Sequence, residues 1–166
     1  MSAGPAAPVR RTAAILVAST RAAAGTYEDQ AGPLLQDWFY ALGYDVVLAE
    51  VVPDGDQVGQ ALARMLALEP SVIITSGGTG ISPTDVTPEQ TLPLLQRQVP
   101  GIMEALRAAG LAKTPMAALS RGYAGTAGRT FLVNLPGSPS AVADGLAVLE
   151  PLVGHVCGLL EGKNEH

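Results

Sequence analysis

The sequence predicts an α/β fold, a three-layer sandwich in which a mostly parallel sheet carries helices on both faces. Three observations lead there. Short apolar runs suited to buried strands alternate with longer stretches of helical period. The clearest run, Val72-Ile73-Ile74-Thr75, is β-branched throughout. Polar or glycine-rich loops follow the strands, so parallel strands would gather these loops along one edge of the sheet, where ligands bind in such folds.

In chain order, residues 1–11 are rich in Ala, Pro and Gly without periodicity and read as a disordered leader before one domain over residues 12–162. Ala13–Ala18 is a first buried strand, ending in the polar loop Ser19–Thr26. A helix is expected over Tyr27–Leu42, with Leu35, Trp38, Phe39 and Leu42 along one face and Gly43 at its end. Tyr44–Val52 holds a second strand, broken by Pro53-Asp54-Gly55-Asp56, and a helix from Gln57 to Leu68 follows. After the central strand come Ser76–Asp85 and a helix start with Thr87 as N-cap and Pro88 at the first helical position. Glu89–Gln98 and Gly101–Ala109 read as short helices, and Pro115–Leu119 and Arg129–Leu135 as strands, with a glycine-rich loop over residues 120–128 between them. The last helix begins near Ser140 and should kink or divide at Pro151, and Lys163–His166 forms a frayed tail.

Composition narrows the function. The 166 residues fit one domain with a substantial core, and the net charge of −5 disfavours a general nucleic-acid binder. One cysteine excludes an internal disulfide and suits a reducing cytosol, and two histidines beside it make a structural zinc site implausible. Arg10-Arg11 precedes an apolar stretch too short for an export signal, and no unbroken apolar run reaches the roughly 18 residues of a membrane span. The expectation is a soluble, cytoplasmic protein. Walker A, G-x-G-x-x-G and G-x-S-x-G motifs are absent where each would have meaning.

What remains is a glycine loop flanked by acids. Gly77-Gly78-Thr79-Gly80 leaves a strand and precedes a capped helix, which presents backbone N–H groups to an anion such as phosphate. The same loop carries Ser76, Thr79, Ser82, Thr84 and Asp85, more polar chemistry than a plain connection needs. Asp54 and Asp85 each lie in a loop after a strand. One or two carboxylates with phosphate oxygens commonly hold Mg²⁺, and phosphoryl or nucleotidyl transfer relies on such positioning and charge. Acids in turns also cap helices; that reading competes evenly for Asp54, whereas the polar loop around Asp85 favours chemistry. Pro136-Gly137-Ser138-Pro139-Ser140 serves equally as a chain reversal with a serine cap or as a nucleotide-holding turn.

Taken together, Thr75-Ser76-Gly77-Gly78-Thr79-Gly80, Asp85-Val86-Thr87-Pro88-Glu89, Pro100-Gly101 and Asn134-Leu135-Pro136-Gly137-Ser138-Pro139 resemble the molybdenum cofactor biosynthesis domain. The likeness is nearest to bacterial molybdopterin adenylyltransferases, relatives of the gephyrin G domain. Ser120-Arg121-Gly122 and the early Ser19, Arg21, Asp29 and Gly32 fit as well. Thr20 stands where many relatives carry Asp, and Ala31 where many carry Ser. The resemblance implies a homotrimer that adenylylates molybdopterin with Mg²⁺ and ATP, releases pyrophosphate and works beside other molybdenum cofactor biosynthesis proteins. It assigns catalysis and metal binding to Asp54 and Asp85. Substrate and nucleotide binding fall to Ser76, Gly77, Gly78, Thr79, Gly80, Pro136, Gly137 and Ser138, with Ser19 and Arg121 beside them. A non-catalytic molybdopterin-binding or carrier protein of the same fold is the alternative.

Overall fold

The computed structural model describes residues 9–163; most of the expected leader and the end of the expected tail lie outside them. Six strands form one sheet in the order β2-β1-β3-β6-β5-β4. β1 (Thr12–Ala18), β2 (Asp45–Val52), β3 (Val72–Ser76) and β6 (Thr130–Leu135) are parallel, and β5 (Ala124–Ala127) runs against both β6 and β4 (Arg97–Gln98). Ile15 lies beside Ile74, and Ile74 beside Val133, so the central strands carry β-branched residues in register.

The alternation of side chains along these strands builds two cores. Ala13, Ile15, Val17, Val72, Ile74, Phe131, Val133 and Leu135 face one side, against α2 (Ala31–Ala41), α5 (Pro100–Leu111) and α6 (Pro139–Leu160). Ala14, Leu16, Ile73 and Leu132 face the other, where Val58, Ala61, Leu62 and Met65 of α3 (Asp56–Ala67) cover them. This is the three-layer arrangement expected. By length and composition α6 is apolar enough to cross a membrane, although no unbroken apolar run does so, but its Val142, Leu146, Leu149, Val153 and Cys157 are buried in the first core.

Several boundaries differ from expectation, each for a local reason. α2 starts at Ala31 rather than Tyr27, because the Asp29 carboxylate accepts the N–H groups of Ala31 and Gly32 at 3.0 and 3.1 Å. The helix expected over Glu89–Gln98 is only α4 (Thr87–Thr91), a 3₁₀ turn and β4, since Pro93 has no N–H to continue the ladder. Thr87 is not the N-cap; Val86 is, through its backbone, with Gln90 N–H donating to its carbonyl at 3.0 Å. Pro115–Leu119 is a 3₁₀ turn rather than a strand, begun by Thr114, whose Oγ1 accepts Met116 N–H at 3.3 Å. The strand is β5, inside the stretch read as loop. Its Ala-Gly-Thr-Ala sequence has no bulk to announce it, and a Cβ on Gly125 would collide with the Arg97 carbonyl of β4. α6 is not divided at Pro151. Pro151 and Ala147 are both on the exposed face, where water can serve the carbonyl that proline leaves free.

Candidate active site

The loops leaving β1, β2, β3 and β6 converge on a cavity of about 870 Å³ at one edge of the sheet. Ser19 begins the β1 loop, its Oγ accepting Ala22 N–H at 3.2 Å to cap the one-turn α1 (Thr20–Ala23). Thr20 and Asp54 then close a reciprocal pair between the β1 and β2 loops. Thr20 N–H and Oγ1 donate to Asp54 Oδ2 at 3.3 and 3.1 Å, and Asp54 N–H donates to Thr20 Oγ1 at 3.2 Å. The second oxygen, Asp54 Oδ1, accepts no hydrogen bond among the described residues.

In the β3 loop the glycines are required by contact. Gly77 has φ +95°, and a Cβ there would collide with the Ala18 carbonyl of β1. Gly78 has φ +68°, and a Cβ there would collide with Thr87 Oγ1 and stand 3.0 Å from Asp54 Oδ1. A Cβ on Gly80 would stand 2.8 Å from Asp85 Oδ2. The two carboxylates therefore flank the loop on faces that glycine leaves bare. Asp85 Oδ2 accepts Ser82 N–H at 3.1 Å, which closes the turn. Ser76 Oγ donates to the Pro136 carbonyl at 3.0 Å, so its role here is to tie the β3 loop to the β6 loop. Ser138 caps α6 by accepting Ala141 N–H at 3.2 Å, and Gly137 brings its backbone against Gly77.

Ser19, Asp54, Ser76, Gly77, Gly78, Thr79, Gly80, Asp85, Pro136, Gly137 and Ser138 all line the cavity, while Arg121 does not. The Arg121 guanidinium donates to the carbonyls of Gly80 and Asp85 at 2.8 and 2.9 Å and pairs with Glu89. That hydrogen bond holds the Glu89 carboxyl below its ordinary range and raises the guanidinium. Arg121 is a brace behind the loop.

Two parts of the site carry little signal in the sequence. Met103, Leu106, Arg107, Lys113, Met116 and Leu119 form an apolar and basic wall from α5 and the 3₁₀ turn after it. The methionines and leucines of that stretch are the available signal, although Pro115–Leu119 reads as a strand in the sequence. Asn134 is the other. Buried in β6, its carboxamide accepts Tyr123 N–H at 2.9 Å and donates to Thr75 Oγ1 at 2.9 Å and Thr91 Oγ1 at 3.1 Å. Its marks in the sequence are its polarity within Thr130–Leu135 and its place at the head of the Asn134–Pro139 motif, neither of which tells of this network. Of the cations on the wall, Lys113 pairs with Asp144 and Arg107 donates to the Ser120 carbonyl at 3.3 Å. Arg21 has no carboxylate partner among the described residues and stacks 4.9 Å over the Tyr27 ring at the cavity wall.

This geometry can hold a polyphosphate: a glycine loop and a helix start offer N–H groups, two carboxylates stand beside them, and Arg21 and Arg107 have no carboxylate partner among the described residues. Residues 14–155 match the family model described as "Probable molybdopterin binding domain". The chain belongs to that family. It is 40% identical over 153 residues to the molybdenum cofactor biosynthesis bifunctional protein of Synechococcus elongatus, covering 92% of this chain and 48% of that one. This chain thus spans about half of that relative's length. It is 34% identical to the molybdopterin adenylyltransferase of Helicobacter pylori strain 26695, covering 90% of this chain and 87% of that enzyme. The structure of the molybdopterin biosynthesis Mog protein from Mycobacterium ulcerans superposes with a TM-score of 0.89 at 47% identity, covering 93% of this chain and 99% of that one. The fold is therefore that of a known family.

Proposed function

We propose that this protein is a nucleotidyltransferase of molybdenum cofactor biosynthesis that adenylylates molybdopterin. An oxygen of the terminal phosphate of molybdopterin attacks the α-phosphorus of ATP. A new P–O bond forms, the bond from the α-phosphorus to the bridging oxygen breaks, and pyrophosphate leaves. The observation that carries this reading is the pair Asp54 and Asp85, set on either side of Gly77–Gly80 at the strand ends. Simple phosphate binding would be hindered by two nearby carboxylates, whereas a metal-assisted transfer needs them.

The donor set fits Mg²⁺. No group of three metal-ligating side chains exists among the described residues, which argues against an all-protein cage. Mg²⁺ instead asks for one or two carboxylates and phosphate oxygens, and Asp54 and Asp85 supply the former. When bound, the ion neutralises phosphate charge and lines up the reacting oxygens. The chain's own groups do the rest. The N–H groups of Gly78–Gly80 and of Gly137 and Ser138 cradle phosphates, while Gly77 N–H is held by the Leu135 carbonyl at 3.0 Å. Ser19 and Thr79 border them, and Ser76 and Arg121 keep the loops in place.

The working form is a cytoplasmic homotrimer acting beside other proteins of the same pathway. The support for self-association is a 48% apolar sequence with exposed Val47, Val51, Tyr40 and Leu68. Sedimentation that showed only a 17.0 kDa species at micromolar concentration would remove that part. The activity is tested by mixing purified protein, molybdopterin, ATP and Mg²⁺ and following adenylylated pterin and pyrophosphate. Tight molybdopterin binding without product would replace the enzyme by the carrier reading.

A further inference from the structure

Thr87 presents a problem that neither the fold nor the proposed chemistry has used. Its side chain is fully buried, and Oγ1 has no hydrogen-bond partner among the described residues. The rest of the residue is fully engaged: the N–H donates to the Gly78 carbonyl at 3.1 Å, and the carbonyl accepts Thr91 Oγ1 at 2.8 Å. The helix does not need the hydroxyl either, since the Val86 carbonyl already receives Gln90 N–H. A buried hydroxyl left unmatched is costly, and few folded proteins keep one without a use for it.

Its surroundings supply that use. The position a Cβ would occupy on Gly78 touches Thr87 Oγ1 on one side and lies 3.0 Å from Asp54 Oδ1 on the other. Hydroxyl and carboxylate oxygen thus face one small volume, which stays open because Gly78 has no side chain. Asp54 is held only on its other oxygen, by Thr20 at 3.1 and 3.3 Å. We infer that Thr87 is a positioning residue for Asp54, whose hydroxyl donates to Oδ1 when the polyphosphate substrate arrives. Thr20 and Thr87 then grip the two carboxylate oxygens from opposite sides, and the carboxylate cannot swing as charge moves through the site. The unmatched hydroxyl is a donor held ready for that carboxylate oxygen. This inference rests on the reading of Asp54 as a group that meets the substrate.

The test uses Thr87→Val, which keeps the shape and removes the hydroxyl, and Thr87→Ser, which keeps the hydroxyl. Without ligands, Thr87→Val should melt at or above the parent temperature, because an unsatisfied polar group has gone. Its kcat for adenylylation should fall roughly 10–100-fold, the size expected for loss of an outer-shell partner. KM for Mg·ATP should rise as well, because the hydroxyl engages Asp54 as the polyphosphate binds. Thr87→Ser should recover most of the rate, and in an Asp54→Asn background the valine should cost nothing further. A valine variant that keeps the parent kcat overturns the inference while leaving the proposed function standing. So does a melting temperature lowered by several degrees, whatever the rate, since the hydroxyl would then be structural. If the parent itself turns nothing over, the function reading fails, and the thermal shift produced by Mg·ATP decides instead. A smaller shift for the valine variant than for the parent supports the positioning role, and equal shifts overturn it.

Discussion

The two edges of the parallel strands use polar groups in opposite ways. Where the strands begin, polar side chains are matched. Arg11 reaches Glu161 at 2.7 Å, Arg10 reaches Asp45 at 3.3 Å, and Thr130 Oγ1 donates to the Pro70 carbonyl at 2.6 Å. Buried Tyr44 donates its hydroxyl to Cys157 Sγ at 3.5 Å. Where the strands end, Gly77 and Gly78 of the β3 loop stand at positive φ, and among the described residues Asp54 leaves one oxygen free and Thr87 and Ser120 each keep a buried hydroxyl unmatched. One edge closes the fold; the other keeps polar groups in reserve. The same sheet can do both because the parallel strands deliver all their carboxyl ends, and the loops that follow, to one side.

That contrast is open to direct test. The largest effect should come from Asp85→Asn at the open edge. Losing one electrostatic contact to a transition state costs about 3–4 kcal/mol, or roughly 10²–10³ in rate, while the near-isosteric amide leaves the melting temperature almost unchanged. Single-turnover adenylylation and thermal unfolding measured side by side would show it; a variant with the parent rate would end this role for Asp85. Gly78→Val should come next. It forces a β-branched residue to positive φ and into Thr87 and Asp54, at a cost of about 1–3 kcal/mol in stability. ATP and molybdopterin binding should suffer more than that, as titration of the folded variant would reveal.

The smallest effect belongs to the closed edge. Tyr44→Phe should lower stability by about 1 kcal/mol through the lost hydrogen bond and leave turnover unchanged. Burial also holds both the Tyr44 phenol and the Cys157 thiol above their ordinary values. The unfolded chain releases those protons near about pH 10 and 8.5, whereas the folded chain keeps them. Stability from these groups is therefore complete below about pH 8.5 and falls as pH rises, and Tyr44→Phe should flatten the fall above about pH 10. Urea titrations from about pH 7 to 10.5 would check the sign.

How much of this can be read from the chain follows the same division. β3 and the glycine loop are legible because Val72–Thr75 has the composition of a buried strand, and three glycines in the next few residues mark a backbone that must pass close to its neighbours. Asp54 and Asp85 are legible as acids following strands. β5 is not, since its small residues answer to the close approach of Arg97 rather than to burial of bulk. Thr87 reads as a cap because its position before Pro88 fits one, and only the folded chain reveals that Val86 does that work. Arg121 reads as a ligand contact because a cation near a phosphate loop suggests one. Sequence gives no sign that Glu89 and two carbonyls already occupy it.

The Arg121 brace has a consequence for timing. A flexible glycine loop that closed on its ligand would surrender backbone entropy at the moment of association, and the affinity would be reduced accordingly. Here one guanidinium fastens Gly80 and Asp85 from behind, so that loss is taken when the chain folds. On the proposed reading, a substrate would meet a cradle already fixed, so its capture would not wait for a loop to order.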